Sequence, residues 1–424
     1  MLLILMMTIL NMILATSDAI AAIPGEQGIG KILELIRKQN HSVQAASQTR
    51  LADLHAADGT GYFPEPGISL NVFGSPIETR NGPQRFNIVL KQAIPWPAAL
   101  RAEEQLADSS ANVRQEQLEI LLLDLDFNAK SLIFKYAGLS AKRKNKEKMI
   151  ASLNHLSKVV SGRLKLAAAG QAEVSRINIE GARLTQAVRT IDADLVKIIH
   201  TLKALTGGED IVSFLPSSPD PDWGEISGFN ADKIDVSSHP LIRLAHAKVS
   251  SANARIEQAK VRHLPGFGVS LSWFQIDPPD SDMLSSDAGK DAWAIGASVS
   301  VPIWNRRYNA LEYSQIAQRS AAQQELRQRE LDLKSSIHSI YEEYRSAKDI
   351  FMIFRNDILP QSDQALQSDQ ESYAQGNTPF DRMIESYIRS IQLDDQIIES
   401  QIRMATLKSA LEKLTAARLT NKAL

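Results

Sequence analysis

AWAIGASVSVPIW, residues 292–304, is the stretch of this sequence that decides the fold. Large apolar side chains stand at every second position, as at Trp293, Ile295, Val299 and Val301, and small or hydroxyl side chains alternate with them. This period predicts a strand with two unlike faces. A strand of about nine to eleven residues can cross a bilayer with its apolar face toward lipid. A half-buried strand of a soluble sheet has the same period, so the segment alone fits both structures.

The composition of the remaining chain predicts long helices. Only 21 glycines and 17 prolines occur in 424 residues, and long tracts rich in Ala, Leu, Gln, Glu and Arg contain neither. A net charge of -2 gives no basic surface for a nucleic-acid backbone. The absence of cysteine excludes disulfides, Cys-ligated metal and a lipidated N-terminal cysteine.

The N-terminus has the pattern of a secretory signal peptide. Residues 2–15 are apolar apart from Thr8 and Asn11, and Ala19-Ile20-Ala21 supplies small residues at the positions of a cleavage site. We therefore expect residues 1–21 to be removed on export. No later segment has 18 continuous apolar residues, so strands would have to make any later membrane crossing.

Three more segments alternate in the same way. The four predicted strands are residues 68–73, 86–94, 267–276 and 292–303, all approximate at their ends. Glycine and proline between residues 74 and 83 predict a long polar loop joining the first two strands. A helix over 32–55 is expected before them.

A very long helix is predicted from Ala98 to about Ala169, where no proline occurs. About 70 helical residues would span roughly 105 Å, which is longer than a compact domain of this mass needs. The basic cluster at 142–146 within this helix is interpreted as a solvated face, with a polyanion site as the alternative.

The order of these landmarks repeats. Gly170 and Gly376 are 206 positions apart, and Pro95 and Pro302 are 207 apart. We interpret the chain as a tandem duplication in which each copy is helix, strand, strand, long helix, turn and helix. The predicted copies are residues 22–206, with its helical turn at about 170, and 239–424, with its turn at about 376. Residues 207–238 form the connector between them.

Two copies give only four strands, and four strands cannot close a membrane barrel. Small membrane barrels need about eight strands, and an open edge in lipid leaves backbone groups unpaired at several kcal/mol each. Closure must therefore come from several chains arranged in a ring. The sequence predicts a mainly α protein with membrane β-strands.

The duplicated layout resembles the TolC-type outer-membrane efflux proteins. The resemblance is carried by QAIPWP (92–97) and VPIW (301–304) at strand ends, and by RLKLAAAG (163–170) and SYAQGNTPF (372–380) at the helical turns. It implies a trimer whose twelve-stranded β-barrel lies in the outer membrane of a Gram-negative bacterium and is continued by a helical barrel across the periplasm. Residues 92–97 also look like the members that work with metal-ion pumps, although specificity in such assemblies lies mainly in the pump.

The same resemblance implies function, partners and site residues. It implies an outer-membrane channel of a tripartite efflux or type I secretion system, docked to a periplasmic adaptor and an inner-membrane transporter. The implied docking residues, at the two helical turns, are Arg163, Leu164, Gly170, Tyr373 and Gly376. The barrel residues expected to face lipid are Trp293, Ile295, Val299 and Val301.

Relatives narrow the tunnel mouth with acidic side chains just past the second turn. The corresponding positions here, six and nine residues beyond Gly376, are Arg382 and Glu385, with Asp381 adjacent. The arginine at position 382 departs from the ring of acidic side chains that relatives carry there. The hypothesis is that Asp381, Arg382 and Glu385 form the constriction, with solvated helix charges as the alternative.

Other chemistry has little support in the sequence. No zinc-protease, nucleophile-elbow or phosphate-loop pattern occurs, so no catalytic, cofactor or metal site is predicted, and the protein is not expected to be an enzyme. The aspartate-rich loop 277–291 is interpreted as a solvated surface loop, with weak divalent-cation binding as the alternative. The competing function is an exported periplasmic coiled-coil structural or adaptor protein.

Overall fold

The computed structural model describes residues 25–165, 170–279 and 286–419. The described chain is mainly helical with one antiparallel four-stranded sheet, as the sequence predicts. The expected signal peptide, residues 1–21, lies outside the described residues. In the described ranges, no helix combines the length and hydropathy that a membrane crossing requires.

The first half of the chain contains four helices and two strands within the described ranges. These are α1 (Gly25–Gln39), α2 (His41–Asp58), β1 (Gly67–Thr79), β2 (Gly82–Ile94), α3 (Pro97–Lys165) and α4 (Gln171–Leu205). Helix α3 has 69 residues, which agrees with the long helix expected there. The connector that follows contains three short 3-10 segments, at Val212–Phe214, Pro221–Gly224 and Ala231–Lys233.

The second half again places a helix before two strands and long helices after them. It contains α5 (Pro240–Val261), β3 (Gly266–Ile276), β4 (Ala292–Ser300), α6 (Asn305–Ile353), α7 (Leu359–Ala374) and α8 (Phe380–Thr415). A π-helical turn, Phe354–Ile358, joins α6 to α7. It directly precedes Pro360, whose ring and missing N–H disrupt regular helical hydrogen bonding, and a π-bulge is one way in which a helix absorbs such a disruption.

The single helix predicted over 32–55 is wrong, because Asn40 divides it. The Asn40 Oδ1 atom accepts hydrogen bonds from the N–H groups of Ser42 (2.9 Å) and Val43 (3.2 Å), as an N-cap of α2 does. Its Nδ2 atom donates to the Leu205 carbonyl at 2.9 Å. The Asn40 side chain therefore caps the N-terminus of α2 and also donates a hydrogen bond to a carbonyl at the C-terminal end of α4.

The long loop predicted between the first two strands is also wrong. Strands β1 and β2 extend until Thr79 pairs with Gly82, so the hairpin turn is tight. Gly82 has a φ of +130°, which glycine adopts far more readily than other residues. A register shift between Val72 and Ile77 accommodates the glycine and proline within β1. Strand β4 ends at Ser300, three residues earlier than predicted, just before Pro302.

The described chain separates into two compact units. The strand unit consists of the described residues of 46–118 and 240–331 and contains the sheet. The helical unit is the described remainder. One of its cores lies beside the second helical turn, where each fully buried apolar side chain contributes about 1.5–3 kcal/mol. This core comprises Leu153, Val160, Ile177, Leu184, Tyr373, Phe380, Met383, Ile384 and Tyr387.

Candidate functional site

One face of the sheet is apolar and exposed. The register places Leu271 between Leu90 and Ile295, and apolar side chains match in the same way along the strands except at Gln92, which pairs with Val269. We call this surface the apolar face: Ile68, Leu70, Val72, Phe86, Ile88, Leu90, Ile94, Phe267, Val269, Leu271, Trp273, Trp293, Ile295, Ala297 and Val299. Ile68 is 76% exposed and Ile295 is 74% exposed. A contiguous apolar surface of this extent indicates contact with lipid or with protein.

The four residues expected to face lipid all lie on or beside this surface. Trp293, Ile295 and Val299 alternate along β4, and each is more than half exposed. Val301 follows the end of the strand and is 64% exposed. The structure therefore brings these side chains together on one side of the sheet, as the alternation predicts.

The opposite face carries mostly small or polar side chains, with Val89, Lys91 and Phe274 as the larger ones. Glycines there pair with serines across β3 and β4: Gly266 with Ser300, Gly268 with Ser298, and Gly296 with Ser270. A Cβ atom built on any of these glycines would lie within 2.8 Å of the opposing serine Oγ. On β1 and β2 the side-chain Nδ2 of Asn71 donates to the side-chain Oδ1 of Asn87 at 2.8 Å. We call this surface the small-residue face, and its polarity suits contact with water.

Aromatic side chains lie near both ends of the strands. At one end, Trp96 Nε1 donates to the Pro265 carbonyl at 2.7 Å, and its ring packs edge-on against Phe267 at 5.3 Å. At the other end, Phe86 packs edge-on against Trp273 at 5.7 Å. Aromatic girdles at the two membrane–water boundaries are typical of membrane strands.

Among the described residues, both outer strands of the sheet have an edge that pairs with no other strand. The strand order is β1-β2-β3-β4, so β2 and β3 are paired on both sides, whereas β1 and β4 are each paired on one side. Free N–H and C=O groups on these edges are sites where another strand can add.

The second helical turn is built around Gly376. Its φ is +78°, and its N–H donates to the Tyr373 carbonyl at 3.0 Å while the Asn377 N–H donates to the Ser372 carbonyl at 2.9 Å. These two bonds close the end of α7 in the manner of a Schellman motif. The buried Tyr373 hydroxyl donates to Glu173 Oε2 at 3.0 Å, which connects α7 to the first turn of α4.

The first helical turn differs from the second. Gly170 precedes α4 with a φ of -94°, which any residue can adopt. Leu164 lies in the last turn of α3 and is half-buried, whereas the side chain of Arg163 and residues 166–169 lie outside what the structure describes.

Each of the three candidate constriction residues belongs to an ion pair. Asp381 pairs with Arg176, which joins the first turn of α8 to the second turn of α4. Arg382 Nε lies 3.2 Å from Asp369 Oδ1, and the largely buried Asp369 also accepts a hydrogen bond from Ser386. Glu385 pairs with Arg389 at 2.7 Å on the same helix. Asp381 alone among the three links α8 to α4.

The basic cluster at 142–146 is not the solvated face that was expected. Lys142 pairs with Glu399, and Lys146 with Asp395 at 2.6 Å, so both lysines of α3 reach acidic side chains of α8. Arg143 pairs with Asp192 of α4 at 2.6 Å. The Lys146 side chain is only 11% exposed. The acidic partners are more than 45 positions away in sequence, and no local pattern points to them.

A carboxylic acid lies close to these pairs. Burial raises the pKa of Asp394, and the neighbouring carboxylates of Asp363 and Asp395 raise it further, while Lys148 opposes the shift. Asp394 therefore retains its proton to higher pH than an ordinary aspartate.

The remaining polar candidates have structural partners. In the aspartate-rich loop, Asp277 pairs with Arg85, and Asp291 accepts a hydrogen bond from the Ile276 N–H at 3.0 Å. Within the described residues, no group of three or more His, Asp or Glu side chains could hold a metal ion.

Comparison with known proteins gives one matching family model and several solved structures of similar fold. Residues 236–417, a little over two fifths of the chain, match the family model described as outer membrane efflux protein. No curated protein matches the sequence.

Solved structures share the fold across nearly the whole chain. The outer membrane protein VceC from Vibrio cholerae has a TM-score of 0.75 and 14% identity, covering 92% of this chain and 96% of that one. The CmeC outer membrane channel of Campylobacter jejuni has a TM-score of 0.72 and 13% identity, covering 94% and 87%. A membrane protein from Pseudomonas aeruginosa has a TM-score of 0.78 and 12% identity, covering 92% and 93%. The prediction of a mainly helical protein with a small antiparallel sheet is thereby confirmed.

Proposed function

We propose that this chain, whose residues 236–417 belong to the outer membrane efflux protein family, is the outer-membrane channel of a tripartite efflux system. It is a passive exit duct for substrates that an inner-membrane transporter and a periplasmic adaptor deliver. The observation that carries the proposal is the sheet, whose apolar face is exposed and whose two edges are unpaired. Lipid covers such a face, and water fills the space bounded by the small-residue face.

The unpaired edges of the sheet support assembly of several copies. A lone sheet in hydrocarbon would expose the backbone groups of β1 and β4 at a cost of several kcal/mol each, whereas β4 of one copy can pair with β1 of the next. Three copies contribute twelve strands to one closed barrel. The family relationship supports an assembly of three copies. The unpaired edges of β1 and β4 support closure of the barrel between neighbouring copies.

The helical unit forms the periplasmic wall, and its turns are the docking surface for the adaptor. The docking residues are Arg163, Leu164, Gly170, Tyr373 and Gly376. Support comes from the second turn, where the Schellman bonds and the Tyr373–Glu173 hydrogen bond fix the backbone. A turn that is already ordered loses little conformational entropy when a partner binds.

Asp381, Arg382 and Glu385 narrow the periplasmic mouth. The pair between Asp381 and Arg176 supports this assignment because it holds α8 against α4 near the N-terminus of each helix. The mouth opens when such pairs separate. Arginine at position 382 places positive charge where relatives are expected to carry acid, which disfavours a cation in the closed mouth.

Membrane fractionation with two adjacent substitutions tests the proposal. Ile295→Arg puts a charge on the apolar face, where arginine near the bilayer midplane costs about 2–4 kcal/mol, and we expect much less protein in the outer-membrane fraction. Ala294→Arg changes the neighbouring residue on the small-residue face, and we expect it to leave insertion intact. Release of the unmodified protein by osmotic shock would instead support a periplasmic structural or adaptor protein.

A further inference from the structure

A single charged side chain lies in the regular part of the sheet. This part comprises residues 67–72, 86–94, 266–275 and 292–300, between the strand bulges and the proline-rich strand ends. Lys91 is the charged residue, and it belongs to the small-residue face. Its neighbours along β2 on that face are Val89 and Ala93.

The surroundings of Lys91 leave its ammonium group open. Lys91 pairs with Gly67 on one side and Ser270 on the other, and Ser270 pairs in turn with Gly296. This row across all four strands therefore contains one long side chain and three small ones. Lys91 is exposed, and none of the described carboxylates forms an ion pair with it.

We propose that Lys91 sets the charge preference of the pore in favour of anions. The inference rests on the proposed function, in which the small-residue face bounds the water-filled lumen. Three copies then place three ammonium groups at one level of the barrel. Because Lys91 is on the face opposite the apolar side chains, its charge acts on solutes in the lumen rather than on lipid headgroups.

Coulomb attraction gives the expected size of the effect. A unit charge acting over about 10 Å through water changes an ion's free energy by somewhat less than RT. Three such charges attract an anion and repel a cation, so together they shift the ratio of anion to cation permeability by on the order of tenfold. At about 10 mM salt the Debye length is about 30 Å and the attraction persists across the lumen. At about 1 M salt it is about 3 Å and the attraction is screened.

Reversal potentials across planar bilayers under a KCl gradient test the inference. At low salt, Lys91→Gln should lower the chloride-to-potassium permeability ratio by on the order of tenfold, and Lys91→Glu should lower it further. The double substitution Lys91→Gln with Ala93→Lys returns the charge to the same face two residues away, and it should restore the ratio. All differences should shrink at high salt.

The outcomes separate this inference from the proposed function. If the unmodified protein conducts and Lys91→Gln leaves the low-salt permeability ratio unchanged, the role of Lys91 is wrong and the channel stands. If Ala93→Lys fails to restore the ratio, a charge on this face does not set selectivity, and the inference is again overturned. If the unmodified protein forms no conductance, the proposed function itself fails.

Discussion

The Lys146 ammonium lies 2.6 Å from the Asp395 carboxylate and joins two helices that run antiparallel. A second pair, Lys130 with Glu412 at 2.5 Å, lies 16 residues earlier on α3 and 17 residues later on α8. The two pairs therefore follow one register along the same helix contact. Because these side chains are largely buried, the register is fixed by charge as well as by apolar packing.

Removing one partner of the buried pair should destabilise the protein more than removing both. Asp395→Ala leaves the Lys146 charge buried without its partner, at an expected cost of about 3 kcal/mol. Lys146→Met with Asp395→Leu replaces the pair by apolar side chains and should recover most of that loss. Thermal unfolding in detergent measures both variants. Equal midpoints for the single and double variants would show that the pair is not buried in the folded protein.

The stability of the helical unit should depend on the ionisation of Asp394. The folded-state pKa of this carboxyl is raised, so the folded protein binds more protons than the unfolded chain between the ordinary pKa and the raised one. Stability contributed by Asp394 is thus present at low pH and is lost as the pH rises through this window. Asp394→Asn should raise the unfolding midpoint at pH 7 by on the order of 1 °C. The gain should disappear toward pH 4, and a gain that persisted there would exclude ionisation as its cause.

The two turn glycines should respond differently to alanine. Gly376 has a φ of +78°, and alanine in this conformation costs about 1 kcal/mol. Gly170 has a φ of -94°, and no described atom lies within 4 Å of a Cβ added there, so Gly170→Ala should be close to neutral. Unfolding midpoints compare the two variants directly. A loss at both positions would mean that Gly170 changes conformation in the assembled protein.

Breaking the pair between α4 and α8 should open the channel mouth. Asp381→Ala releases Arg176, and we expect a larger single-channel conductance. Glu385→Ala is the matched control for opening, because Glu385 pairs only with Arg389 on its own helix. The Glu385→Ala variant should change how strongly cations block the channel, without a comparable rise in single-channel conductance. Unchanged conductance in Asp381→Ala, together with unchanged cation block in Arg382→Ala and Glu385→Ala, would contradict the constriction assignment.

The strand positions followed from the sequence because alternation is a local signal. Trp293, Ile295 and Val299 share a face in any extended strand, so their common exposure was predictable. The tight turn between Thr79 and Gly82 was not, because glycine and proline mark a bulge within a strand as readily as a loop. The break at Asn40 was missed although its bonds to Ser42 and Val43 are local, because the apolar period continues across it. Its bond to the Leu205 carbonyl, far away in the chain, requires the fold.

The ion pairs of the helical unit were beyond sequence reasoning. Lys142 and Lys146 read as solvated residues in a charged helix, and only the packing of α3 against α8 places Glu399 and Asp395 beside them. The candidate constriction was predicted by counting from Gly376. The partners Arg176 and Asp369, in contrast, became visible only through the packing of α4 and α7 with α8. Sequence periodicity identifies helices, strands and their apolar faces. Ion pairs between helices can be identified only when the packing of the helices is known.

Native mass spectrometry of the protein extracted from outer membranes tests the central claim most directly. Four strands per chain with two unpaired edges cannot close a pore alone, so we expect three copies in each detergent-solubilised particle. A single copy that stays soluble in water without detergent would contradict the account.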